Sequence, residues 1–515
     1  MKNKKQRVNL FERESVRVYR LSEASPGRAS ASASAELPVN ARRMAQMLER
    51  PVLSPRVARG LVRLVECGTL FLIALAVLVP FHPDWMHRLA LCSLLTLAAV
   101  VTMQILNGYE PSLLRSKRTQ IARLAASLAL ASAMAALAAA LFHDLTWEFL
   151  KSLALWATGS FTLLSTLRLA LGARMRKWVR NGFMERRAIL VGGGGAAEAF
   201  IRRLEMHPDN DVRICGIFDD RNDDRSPAIV AGYPKLGSVA QLTEFARRAR
   251  IDMLIVTLPV SAQARLLSIM RELWVLPLDI RVADSSPDLS FPSRSRSFVG
   301  DIPLLHAFDR PLAEWDIVSK RCMDLLIGLP ALVLLSPLML ATAIAIKLDS
   351  PGPVFFRQKR HGFNNQIINV WKFRSLRHED SDPAARRIVT HNDSRVTRVG
   401  RFIRRSSIDE LPQLFNVLSG ELSLVGPRPH AVHARSSFDQ NFTEIVDGYF
   451  GRHKVKPGIT GWAQVNGWRG EIDNGEKLQK RFEYDLYYIE NWSLLLDLRI
   501  LVMTPISLLR SAGAY

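Results

Sequence analysis

Two adjacent carboxylates, Asp409 and Glu410, lie in the stretch from Arg404 to Pro429, RRSSIDELPQLFNVLSGELSLVGPRP, between a basic run and a second basic element, Pro427-Arg428-Pro429. These surroundings suit phosphate better than an apolar core, because a guanidinium offers phosphate oxygens a paired fork of donors. An ionised carboxylate placed there can attack phosphorus or hold a metal ion. Asp409 is therefore read as the nucleophile of a phosphoryl transfer at a membrane surface. A local reading competes: Ser407-x-x-Glu410 is also a capping-box pattern at a helix start. The two are compatible, since a helix N-terminus keeps a carboxylate ionised. Pro412 suits the first turn of such a helix, and Leu411, Leu414, Phe415 and Leu418 would give it one apolar stripe.

Further cations are spaced to assist. Lys372 and Arg374 fall on one face of an extended segment, Ile368 to Arg374. Arg395, Arg398, Arg401 and Arg404 recur three apart, one face of a helix that leads into Asp409. The plainer readings are an exposed basic strand edge and a solvated helix face.

The elements that must position these residues begin with a polar, basic, Ala- and Ser-rich tail, residues 1–55, expected to be disordered. Four apolar runs follow, at roughly 64–81, 89–107, 124–142 and 152–171, each near the length of a spanning helix. Glu66 and Arg168 sit near run ends, where a charge can reach the interface. Basic flanks before the first run, after the second and after the fourth place both ends of this 56–180 bundle in the cytosol.

From Arg187 the pattern turns to α/β. Strand Ala188–Val191 runs into Gly192-Gly193-Gly194-Gly195-Ala196-Ala197, and a second strand ends in Asp219-Asp220. Residues 181–300 are read as a Rossmann-like cytosolic domain. Dinucleotide binding is the weaker reading of its glycines, because the third fingerprint position is Ala197; a regulatory or dimerising module is the stronger. Residues 284–300, rich in Ser, Pro and Arg, read as a linker to a C-terminal unit, 310–515.

That unit opens with Leu325 to Ile346, uncharged and long enough to span. Lys320 and Arg321 before it and Lys347 after it give both ends the cytosolic signal, and Pro330 and Ser336-Pro337 interrupt it. A re-entrant helix-break-helix over 320–347 is expected, with Ser336 satisfying backbone that Pro337 frees. Leu498 to Leu509 reads as a terminal interfacial helix.

Composition sets the partners. The 515 residues carry 69 Lys and Arg against 48 Asp and Glu, a net charge of +21, which calls for an acidic partner. The apolar runs make that partner a membrane rather than nucleic acid. Cys67, Cys92, Cys215 and Cys322 have no metal-ligand spacing and read as apolar residues of a reducing compartment.

From about Trp315 onward the chain resembles the monotopic phosphoglycosyl transferases, bacterial membrane enzymes that start glycan assembly on a polyprenyl phosphate. The resemblance rests on Lys320-Arg321, Ser336-Pro337, Lys372-Phe373-Arg374, Asp409 to Asn416 (DELPQLFN), Val425 to Pro429 (VGPRP) and Lys456 to Gly467 (KPGITGWAQVNG). Four spans and a Rossmann-like module are similar to the long-form members, and Trp468-Arg469-Gly470-Glu471 resembles the undecaprenyl-phosphate glucose phosphotransferases.

The resemblance implies a membrane protein, α plus α/β, at the cytosolic face of the bacterial inner membrane. It implies transfer of a hexose-1-phosphate, glucose-1-phosphate first, from a UDP-sugar to undecaprenyl phosphate, opening exopolysaccharide or capsule synthesis. Asp409 would attack the β-phosphorus and release UMP, with Glu410 as its partner. Mg²⁺ would be held by Asp409 and Glu410, and phosphate by Arg428, with Lys372, Arg374 and Arg404 as further contacts. A homodimer is left open. UDP-galactose or an N-acetylated UDP-sugar is the same-class alternative; a nucleotide-sugar oxidoreductase working through Gly192 to Ala197 and a membrane scaffold are the others.

Overall fold

The computed structural model of the chain describes residues 36–49, 54–78, 85–109, 117–141, 145–180, 185–207, 212–221, 226–258, 262–283, 296–299, 302–312, 314–379, 393–432, 448–470 and 475–510. It divides into two compact units, Pro51–Arg186 and the rest. The first 35 residues of the expected tail lie outside the described residues. Residues 36–49 of that tail are ordered: α1, Val39–Met47, buries Ala41 and Ala45 against the middle domain, and Arg187 Nη1 donates to the Leu48 carbonyl at 2.7 Å. Small alanines spaced four apart make a helical face that a search for large apolar residues overlooks.

The first unit consists of α2 (Pro55–Leu78), α3 (Trp85–Ile105), α4 (Lys117–Leu141) and α5 (Trp147–Arg180), each packed on the next and α5 closing back on α2. Glu66 and Arg168 do not reach an interface. Both are buried, and the Arg168 guanidinium forks onto the Glu66 carboxylate at 2.6 and 2.7 Å. A paired charge is tolerated inside a bundle where a single one is not. Among the described residues four helices are long and apolar enough to cross a membrane: α2, α3, α4 and a C-terminal helix. The expected fourth span, within α5, is not one of them. Thr158, Ser160, Thr162, Ser165, Thr166 and Arg168 dilute its apolar run.

The second unit contains an eight-stranded mixed sheet in the order β3-β4-β2-β1-β5-β6-β8-β7. Its strands are β1 (Arg186–Val191), β2 (Val212–Phe218), β3 (Ile229–Val230), β4 (Tyr233–Gly237), β5 (Met253–Val256), β6 (Asp279–Ala283), β7 (Arg296–Val299) and β8 (Ile302–Phe308). The helices between them are α6 (Gly195–Glu205), α7 (Val239–Arg248) and α8 (Gln263–Leu273). Parallel pairing of β1 with β5 and β5 with β6 follows from near-continuous apolar strands such as Ala188–Val191, buried on both faces.

The C-terminal part begins with α9, Trp315–Asp349, an apolar helix of 35 residues. The expected break into two helices is not seen. The helix is continuous through Pro330 and Pro337, and Ser336 Oγ donates to the Val333 carbonyl at 2.7 Å, the oxygen that a residue at 337 would reach if it had an N–H. Both arms of α9 are fastened to the same body. Lys320 Nζ, read from sequence as a flanking charge, is buried and donates to Asp497 Oδ2 (2.7 Å), Val425 O (3.0 Å) and Tyr488 OH (3.0 Å). The second arm packs Met339 and Ile346 on Phe373 and Ile403, and Asp349 Oδ2 accepts the Val399 N–H at 3.0 Å. Between the arms Val333 and Leu334 are exposed.

Around α9 fold the hairpin β9 (Phe355–His361) and β10 (Ile367–Phe373), α10 (Arg398–Arg405), α11 (Gln413–Ser419), the parallel pair β11 (Ser423–Val425) and β12 (Gly458–Thr460), then α12 (Trp462–Val465), α13 (Gly475–Glu490) and α14 (Leu494–Arg510). The apolar stripe expected of α11 is displaced. Leu414 and Val417 are buried while Phe415 is exposed, because the first turn there belongs to a separate short helix.

Candidate active site

Asp409 and Glu410 occupy one 3₁₀ turn, Ile408–Glu410, between α10 and α11. The expected capping box does not form. Ser407 adopts a left-handed backbone (φ 59°) and its hydroxyl accepts from Arg469 Nη2 at 2.6 Å. The Glu410 carboxylate turns instead to two cations, which bind it more strongly than one neutral amide can. Lys372 Nζ donates to Glu410 Oε1 at 2.9 Å, and Arg428 forks onto it at 2.5 and 3.2 Å.

Each cation is placed by backbone. Lys372 stands on β10, which α11 clips in register: the Trp371 N–H donates to Asn416 Oδ1 at 2.9 Å, and Asn416 Nδ2 donates to the Asn369 carbonyl at 2.8 Å. Arg428 follows β11, where the backbones at Gly426 and Gly458 approach so closely that a Cβ on Gly458 would lie 2.1 Å from the Gly426 nitrogen. Only glycine fits that approach. The Gly458 N–H donates to Pro427 O at 3.1 Å and Arg360 Nη1 to Pro429 O at 2.6 Å, fixing the loop on both sides of Arg428.

The two carboxylates differ sharply. Among the described residues no hydrogen bond reaches Asp409; its nearest cation is Lys372 Nζ, 3.7 Å away. Burial pushes its pKa up to about 6, against the pull of Lys372, with Glu410 adding to the rise and Arg404 and Arg428 opposing it. Burial acts on Glu410 as well, but Arg428 and Lys372 hold it well below the usual carboxylate range. One carboxylate is locked and the other is open. Asp409 thus keeps open lone pairs in a nearly dry, cation-lined place; among the described residues no cluster of three or more His, Cys, Asp or Glu gathers here, so a divalent cation would need substrate oxygens beside this carboxylate.

Of the residues singled out from sequence, Asp409, Glu410, Lys372 and Arg428 come together, with Arg404 close enough for its charge to act on Asp409. Arg374 does not join them. It is buried and donates to the Ser350 carbonyl at 2.8 Å and to that of Pro351, closing the end of α9. Ser336 and Pro337 lie within α9. Asp485 forms a buried ion pair with Arg452 at 2.5 Å, and Trp462 stacks on Tyr487. Arg452 had no signal in the sequence, where it sits in a basic run indistinguishable from a solvated one.

The glycine turn of the middle domain is already filled. The Gly193 N–H donates to Asp219 Oδ2 at 2.7 Å, and that carboxylate also pairs with Arg221 at 2.8 Å.

Comparison with known proteins follows the same division. The bacterial sugar transferase family matches residues 315–511, which include α9 and every residue of the carboxylate site. A UDP-glucose:undecaprenyl-phosphate glucose-1-phosphate transferase of Xanthomonas campestris pv. campestris is 36% identical over 365 residues, 70% of this chain and 74% of that protein. The chain belongs to the bacterial sugar transferase family. An enzyme of the same name from Escherichia coli (strain K12) is 35% identical over 363 residues, 70% of this chain and 75% of its own. A UDP-N-acetylgalactosamine-undecaprenyl-phosphate N-acetylgalactosaminephosphotransferase of Aeromonas hydrophila is 46% identical over 196 residues, 38% of this chain and 44% of its own. A second family, described as a CoA-binding domain, matches residues 104–283, from the end of α3 to β6. In this sugar transferase the family match starts at Trp315, the first residue of α9, so the apolar helix and the chemistry form one unit.

Proposed function

We propose that the chain transfers glucose-1-phosphate from UDP-glucose to undecaprenyl phosphate at the cytosolic face of the bacterial inner membrane. The observation that carries this is the contrast within the carboxylate pair: Asp409, buried and without a hydrogen bond among the described residues, beside Glu410 locked by Lys372 and Arg428. An Asp409 oxygen attacks the β-phosphorus, the bond from that phosphorus to the bridging oxygen breaks, and UMP leaves. A phosphate oxygen of undecaprenyl phosphate then attacks the sugar-phosphoryl-aspartate, giving the lipid diphosphate-sugar and restoring Asp409. Glu410 keeps Lys372 and Arg428 beside the nucleophile, where their charge stabilises the phosphoryl group in transit. Arg404 adds to the positive field.

Mg²⁺, held by Asp409 with the diphosphate oxygens, would supply charge neutralisation there. Glu410 could join through Oε2, which accepts only from Arg428 Nη1 among the described residues.

The reading that α9 dips into the bilayer and returns rests on its two arms meeting one body, on the two prolines and on the Ser336 bond between them. The Rossmann-like reading of the middle domain rests on the parallel β1, β5 and β6 with helices between. Glucose is preferred because it is the sugar in the names of the two relatives matched over 365 and 363 residues; an N-acetylated UDP-sugar or UDP-galactose is the alternative.

The test is UMP release by nanodisc-embedded protein given UDP-glucose, Mg²⁺ and undecaprenyl phosphate, beside Asp409→Asn. Release that requires all three and disappears in the variant is expected. Production of UDP, or an active variant, would refute the reading; donor exchange ranks the sugars.

A further inference from the structure

Trp274 follows α8 of the middle domain, yet its side chain does not belong to that domain's core. Its neighbours Leu273 and Leu276 belong to the core cluster of β1, β5 and β6, whereas Trp274 belongs to the buried cluster of the catalytic part, the one that includes Val370, Leu414, Val417 and Tyr449. Its seat is the 3₁₀ turn Tyr449–Lys454. A Cβ on Gly448 would stand 2.3 Å from the indole, and one on Gly451 2.7 Å from it, so both positions are bare where the ring lies. The Lys454 ammonium, also buried, closes the seat 4.8 Å from the ring centroid. Two more ties join the same surfaces: Asn364 Nδ2 donates to the Ala246 carbonyl at 2.9 Å, and the Arg247 guanidinium lies 5.9 Å from the Phe450 ring.

The turn that receives Trp274 also carries Arg452. That guanidinium is buried and pairs with Asp485 at 2.5 Å; Nη1 donates to Tyr449 OH at 2.7 Å, and Nη2 to the backbone carbonyl of Arg428 at 2.9 Å. Arg428 in turn holds Glu410. The geometry points to Trp274 and Arg452 as positioning residues for the reaction: the middle domain braces the Tyr449–Lys454 turn, and through the Arg452 bond to the Arg428 carbonyl it fixes the guanidinium that faces the transferring phosphate. The middle domain thereby acts on catalysis through packing. This rests on the reading, given above, that Arg428 works on phosphate. The bond from Arg452 goes to a main-chain oxygen, so what it sets is the direction in which the Arg428 side chain leaves the loop. A displacement of about 1 Å there is enough to slow a positioned reaction up to roughly a hundred-fold.

The test uses the full chain in nanodiscs and the UMP-release assay with Arg452→Lys, Trp274→Ala, Trp274→Phe and Arg428→Lys. Arg452→Lys keeps a cation for Asp485 but cannot span Asp485, Tyr449 and the Arg428 carbonyl together. Arg452→Lys and Trp274→Ala should each lower kcat/KM roughly ten-fold or more, with Trp274→Phe recovering part of the loss. The deciding readout is coupling: if both residues act through Arg428, adding either change to Arg428→Lys should cost little further rate. Losses that multiply would overturn the proposal while leaving the role of Arg428 standing. Arg428→Lys at the wild-type rate would instead overturn that role, and the proposal with it. Should Trp274→Ala fail to fold, Trp274→Phe and Arg452→Lys complete the same cycle.

Discussion

Replacing Asp497 by asparagine should loosen the first arm of α9 on the catalytic body. The Lys320 ammonium and the Asp497 carboxylate meet at 2.7 Å with almost no exposure, and Asp497 also accepts from Tyr488 OH at 2.7 Å and Trp492 Nε1 at 3.0 Å. A neutral amide in place of that carboxylate would leave the buried ammonium without its paired carboxylate, held by the Val425 carbonyl and a phenol oxygen, with only the more distant charge of Asp324 acting on it. Breaking a buried pair from one side costs about 3–5 kcal/mol, because the surviving charge is stranded. At about 2–4 °C per kcal/mol for a body of this size, the melting temperature should fall by roughly 6–20 °C. The assay is thermal unfolding in nanodiscs, followed by tryptophan fluorescence, for Asp497→Asn, Lys320→Met and both together. Removing both charges should lose less than the two single losses summed, by about 2 kcal/mol or more. A fall of only a degree or two for Asp497→Asn, or a double variant whose loss equals the sum, would refute the claim that this pair holds the helix.

Two other perturbations have signed outcomes. Burial, with Arg452, His361 and Arg247 nearby, holds the His453 pKa well below its ordinary 6.5; the unfolded chain therefore takes up the proton first, and stability is lost as pH falls below about 6.5. That loss approaches about 1.4 kcal/mol per pH unit for one histidine, so His453→Gln should show a shallower fall in melting temperature between pH 6.5 and 5.5. Although burial opposes its ionisation, Asp219 is held down to about 2 by Arg221, the Gly193 and Arg221 amides and Ser226, a contribution present above its unfolded value of 3.8 and lost as pH falls through 2. Asp219→Asn should therefore cost on the order of 2 kcal/mol at pH 7 and progressively less as pH falls through 2, with NAD binding absent by calorimetry in both proteins; binding by the unaltered chain would refute the filled-turn reading.

The parts legible in the sequence are those whose cause is local. Adjacent Asp409 and Glu410, the apolar lengths of α2, α3, α4 and α9, Ser336 beside Pro337, and a glycine turn after an apolar strand each announce themselves within a few residues, because backbone propensity and hydrophobic period act over one or two turns. What those residues do was decided by distant partners. Glu410 could have capped its own helix; Lys372, 38 residues away, and Arg428, 18 away, took its carboxylate instead. Arg374 shares a motif with Lys372 but ends at the carbonyls of Ser350 and Pro351, since its strand ends beside α9. Glu66 and Arg168, 102 residues apart, look like interfacial charges until the bundle joins them. Trp274 and Arg452 could not be found at all: a buried cation and an exposed one have the same letter, and an indole does not say whose core it fills. Only the folded chain sets which charges lose their water, and the cost of losing it selects their partners.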